Sequence, residues 1–86
     1  MKVKLFAVMD SASGVYDGPV PSQTKEVALR NFVNMIKSGE TVISKNPECF
    51  SLWYVGEWND ATGEVTGENK ECLGYAIDLI GPKEES

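Results

Sequence analysis

The chain has no histidine, one arginine, two cysteines and no long apolar run. Each shortage removes a class of function. Without histidine the usual general base at neutral pH and the commonest metal ligand are gone. Cys49 and Cys72 cannot alone complete a four-ligand zinc site. A small secreted domain held by disulfides usually carries more cysteines, so these two are expected as reduced thiols behaving as small buried hydrophobes. No stretch approaches the ~20 apolar residues of a membrane span, and no membrane contact is expected. Residues 1–9 lack the apolar core and small-residue cleavage site of a signal peptide; they read as a strand and point to the cytosol. Cations are also scarce. Eight Lys and Arg stand against 13 Asp and Glu, a net charge of −5. That balance disfavours broad electrostatic attachment to nucleic acid but leaves room for a local basic strip. There is no phosphate-cradling glycine motif and no paired-ligand spacing. The acids Asp10, Asp17, Glu57, Asp60, Glu64 and Asp78 therefore lack catalytic company, and Asp10 beside Ser11 and Ser13 reads as a turn former. No enzyme, cofactor or metal is expected.

What is present suits a small globular protein. Of 86 residues, 42% are hydrophobic, which argues for one packed domain rather than disorder. We place that domain at residues 1–82, with an acidic tail at 83–86. Residues 2–10 alternate as a strand, with Val3, Leu5, Ala7 and Met9 on one side and Lys2, Lys4, Phe6 and Val8 on the other. Val15 and Tyr16 are expected to pair briefly with it before Asp17-Gly18-Pro19. A helix is expected over about residues 24–38. Ser22 or Thr24 caps it, Leu29, Phe32, Val33 and Ile36 form its apolar stripe, Ala28 and Met35 widen that stripe, and Gly39 stops it. Residues 40–49 read as a loop, with a possible short strand at 41–43. An aromatic-rich strand begins at Phe50, turns through Asp60-Ala-Thr-Gly63 and returns; residues 66–70 read as irregular. Residues 73–80 alternate as a last strand. Strands, one helix, then strands give an α+β fold: a small, mostly antiparallel sheet with one amphipathic helix on one face.

A single helix leaves the other face of the sheet open. Simple alternation puts Trp53 and Val55 on one side of the aromatic strand and Leu52, Tyr54 and Trp58 on the other. If the helix covers Val3, Leu5 and Ala7, the open face presents Lys2, Lys4 and Phe6, with Tyr54 and Trp58 on the same side in a suitable register. Lysines over phosphates and aromatics under bases make a sequence-tolerant single-strand site. Arg30 and Lys37, with Asn34 between them, are a second candidate basic strip along the helix. The competing readings are that Phe6, Val8, Leu52 and Tyr54 close the core or an oligomer contact, and that the helix charges are a solvated face.

Four blocks in order, Lys4-Leu-Phe-x-Val-Met-Asp10, Ala28-x-Arg30-x-Phe32, Asn46-Pro47-x-x-Phe50-x-Leu52 and Gly56-Glu-Trp-Asn-Asp-x-Thr-Gly63, resemble one phage family. It is the small nonstructural protein of the gokushoviruses, single-stranded DNA phages of the Microviridae. The resemblance spans roughly residues 2–65. It implies a nonstructural, DNA-binding protein of the host cytoplasm that acts in genome replication or packaging, and it carries no specific catalytic or base-reading residues. Two functions follow as expectations: single-stranded DNA binding on the open face, or a homo-oligomeric interaction module whose partner is a host or phage replication protein.

Overall fold

The structure, a computed structural model, describes residues 2–79, the Glu68 side chain excepted. Four strands, β1 (Lys2–Asp10), β2 (Val15–Ser22), β3 (Phe50–Asn59) and β4 (Val65–Tyr75), form one antiparallel sheet in the order β2-β1-β3-β4. Helix α1 (Lys25–Ser38) lies on one face, followed by the short helix α2 (Val42–Lys45) and a 3₁₀ turn at Pro47–Cys49. The last described element is α3 (Ala76–Leu79). The expected α+β architecture is the observed one.

Helix α1 starts where its cap chemistry requires. The Thr24 hydroxyl accepts a hydrogen bond from the Val27 amide at 3.1 Å, Glu26 sits in the first turn, and Gly39 closes the helix in the left-handed region. Ala28, Phe32 and Ile36, one helical turn apart, are buried. They pack with Phe6, Leu52 and Phe50 from the sheet, Ile43 from α2 and Ala76 from α3. Phe32, 1% exposed, is the centre of that cluster. Burying side chains of this size is worth roughly 1.5–3 kcal/mol each.

Five expectations are corrected. The helix covers the face carrying Phe6, Val8, Leu52 and Tyr54 rather than the one carrying Val3, Leu5 and Ala7. Phe6 and Leu52 there meet Ala28, Phe32 and Ile36 of the helix, Ile43 of α2 and Ala76 of α3 in one buried cluster. The segment read as a loop or short strand at 41–43 begins a helix, because Thr41 and Ser44 form a reciprocal capping box. Residues 66–70 belong to β4, where irregular pairing with β3 absorbs their polar character. The final strand stops at Tyr75, and residues 76–79 coil so that Ala76 and Leu79 reach the core. Strand β2 also pairs further than expected, through Ser22, by shifting register between Phe6 and Val8. The acidic tail at 83–86 lies outside the described residues.

Candidate functional site

The decisive local feature is a bulge in β3. Phe6 pairs with Tyr54 but Leu5 pairs with Gly56, so Val55 is the extra residue. An extra residue reverses the alternation beyond it. Trp58 therefore pairs with Val3 and joins Trp53 on the face away from the helix, while Tyr54 stays beneath the helix. Gly56 makes the crossing possible. It is buried against β4, and a Cβ there would run into the Thr66 carbonyl oxygen.

With the register fixed, the sheet is chemically two-sided. Across the open face run four rows of paired residues: Val3, Trp58 and Val65; Pro21, Leu5, Gly56 and Gly67; Ala7, Trp53 and Cys72; and Tyr16, Met9, Ser51 and Tyr75. None of these paired residues carries a charge. The rows on the helix side hold Lys4 with Glu57, Glu71 with Tyr54, Asp17 with Val8, and Asp10 with Phe50. The chain is acidic overall, yet the paired positions of its open face are uncharged and mostly apolar.

Trp53 anchors that face. Its indole Nε1–H donates to the Ser51 hydroxyl at 2.8 Å, which satisfies a side chain only 2% exposed. The Tyr16 ring meets Trp53 edge-on at 5.9 Å. The Lys70 ammonium stands 5.7 Å from the Trp53 ring centre and 5.9 Å from that of Tyr16, within cation–π range of both. Leu5 and Ala7 are buried on this side, outside the cluster that the helix closes, and so form a firm apolar floor. Tyr16, Trp58 and Tyr75 remain 38%, 37% and 49% exposed.

The residues singled out from sequence do not form one site. Phe6, 3% exposed, is a core residue and has no face for a base to stack on. Tyr54 packs on Phe6 at 5.6 Å and lies under Lys25 and Lys4, whose ammonium groups are 5.0 and 5.8 Å from its ring. Lys25 also pairs with Glu71 at 2.8 Å, and that hydrogen bond raises the Lys25 pKa above the usual lysine value. Lys2 lies 3.9 Å from the Glu57 carboxylate. Arg30 and Lys37 are exposed on α1, on the helix side of the molecule. Of the original group only Trp58 reaches the open face, for a reason the alternation rule alone would not reveal. Tyr16, Lys70 and Tyr75 were missed. The available signal was Gly56, since a glycine inside an aromatic strand marks a possible bulge. Among the described residues no group of three or more cysteine or acidic side chains is placed to hold a metal ion. No described helix is long and apolar enough to cross a membrane.

A family model described as Phage ORF5 protein matches residues 3–79. The chain belongs to that family. It is a phage protein, and the match takes in every strand and helix described above apart from the first residue of β1. No curated protein and no solved structure matches the chain. In this Phage ORF5 family member the open aromatic face is the candidate functional surface.

Proposed function

We propose that this phage protein binds single-stranded DNA on the open face of its sheet and acts in viral genome replication or packaging, as a nonstructural protein of the host cytoplasm. The resemblance to the gokushovirus proteins of the Microviridae supports the setting. One observation carries the contact: Tyr16, Trp53, Trp58 and Tyr75 share an uncharged face with Lys70 above it. Every base has a π-face, and stacking is worth roughly 1–3 kcal/mol per base regardless of sequence. A net charge of −5 opposes long-range attraction. Placing Asp10, Asp17, Glu57 and Glu71 on the helix side keeps those carboxylates away from an approaching phosphate chain. The reading is of a binding protein without catalysis or cofactor.

A titration of a fluorescent oligothymidylate at two salt concentrations, run beside a light-scattering mass, tests this. Stacking-led binding predicts a shallow salt dependence, since each phosphate contact adds only about −0.7 to the log–log slope for a single strand. Lys70→Gln should flatten it by about that amount. Absence of binding at low salt would overturn the reading.

The exposure of Val65, at 68%, beside Trp58 favours a second reading. The same face would then be a homo-oligomer contact in an interaction module that meets a host or phage replication protein. A mass above one chain, no DNA binding and a shift to monomer on losing Trp58 would establish it.

A further inference from the structure

The opposite side of the sheet carries a second feature, independent of the DNA reading. Four strands at about 4.8 Å spacing make a sheet close to two helix diameters wide. Helix α1 shares that face with α2 and α3 and borders β2 as well as β3. Over β2 the helix-side face is left open as a groove, formed by two adjoining depressions of about 110 and 650 Å³. Both are lined by Val8, Asp17, Val20 and Met35. Val15, Val20 and Val42 on its walls are 58%, 61% and 61% exposed. The charged residues lining it are Asp10 and Asp17, with no cation among them. The Asp10 carboxylate already accepts a hydrogen bond from the Ala12 amide at 2.9 Å. Asp10 keeps its charge on accepting that bond, and Asp17, level with Val8 on the sheet, is the second carboxylate that lines the groove.

We infer that this groove docks an amphipathic helix of a partner protein, with aliphatic side chains against Val15, Val20 and Met35 and a lysine or arginine against Asp17. Val15 and Val20 of β2, Met35 of α1 and Val42 of α2 wall the groove, and these apolar side chains supply the hydrophobic contact for one face of a helix. The carboxylates select a basic sequence. They also argue against a second copy of this chain, because a two-fold pairing through the groove would bring Asp10 and Asp17 of both copies together in apolar surroundings.

The test uses the full ¹⁵N-labelled chain and two short synthetic peptides, one of leucines and lysines in helical spacing and one with glutamates in place of the lysines. The lysine peptide should bind and shift the amides of Val15, Asp17, Val20 and Met35, whereas the glutamate peptide should not bind. Asp17→Lys and Val20→Lys, both at exposed positions on β2, should each weaken binding about tenfold, a change of about 1.4 kcal/mol. Glu64→Lys, which makes the same charge change as Asp17→Lys in the β3–β4 turn, should leave the affinity within about twofold of the parent. The inference is overturned if the shifts fall outside the groove, if Glu64→Lys weakens binding as much as Asp17→Lys, or if neither peptide binds. It is overturned equally if Val20→Lys turns a dimer into a monomer, which would identify the occupant as a second copy.

Discussion

Replacing one aromatic at a time by leucine separates the two faces of the sheet. Trp58 is 37% exposed beside Val3 and Val65. Trp58→Leu keeps aliphatic contact with those neighbours and should cost the fold only about 1 kcal/mol. It removes one ring from the open face, so DNA binding should lose roughly 1–3 kcal/mol, or about 5- to 150-fold in affinity. Phe6→Leu has the reverse profile. At 3% exposed the ring is locked between Tyr54 and the helix cluster, and its loss should cost the fold about 1–1.5 kcal/mol. Binding should stay unchanged. Fluorescence anisotropy with a labelled oligothymidylate gives the affinity, and urea titration of each variant gives the stability. If Phe6→Leu weakened binding as strongly as Trp58→Leu while remaining folded, or if Trp58→Leu bound like the parent, the assignment of the open face would fail.

Phe32→Ala should destabilise the protein by about 3–5 kcal/mol, read as a lower urea midpoint, because it empties the centre of the single helix-side core. Gly56→Ala should cost about 1–3 kcal/mol and disturb amide shifts across the Val55 bulge, since the new methyl meets the Thr66 carbonyl; unchanged stability would show that the strands are not so close. The Lys25–Glu71 pair has a definite pH signature. Because the folded pKa of Lys25 is raised, its stabilising effect is complete below the usual lysine value and is lost as pH rises through the raised one. With side chains 40% and 53% exposed the effect on stability is small. The direct readout is the NMR titration midpoint of Lys25, which should lie above the usual value and move down in Glu71→Gln.

Much of the fold was legible because its local signals agree. Thr24, the apolar positions from Ala28 to Ile36 and Gly39 mark α1 independently of everything around it. Alternation marks β1, and Gly63 at φ 80° closes the β3–β4 turn, its amide bonding back to Asn59. The segment at 41–49 was less legible. Valine and isoleucine favour a strand there, but the Thr41–Ser44 capping box and the place for Ile43 in the core outweigh that preference. The same holds at 76–79, where an alternating pattern coils because Ala76 and Leu79 both find the helix-side core.

The sequence by itself determined which side chains are apolar, which are charged, and that one long amphipathic helix packs on a mostly antiparallel sheet. Tertiary structure decided which residues share a face. A side chain's direction along a strand depends on its count from every bulge, and a bulge exists only in relation to the partner strand. One extra residue at Val55 carries Trp58 across the sheet to Trp53, and pairing with β2 and β4 adds Tyr16, Lys70 and Tyr75 from distant parts of the chain. The helix settles over Phe6 and Tyr54, where its Ala28, Phe32 and Ile36 close one cluster with Phe50, Leu52, Ile43 and Ala76, and the aromatic face is the one it leaves uncovered.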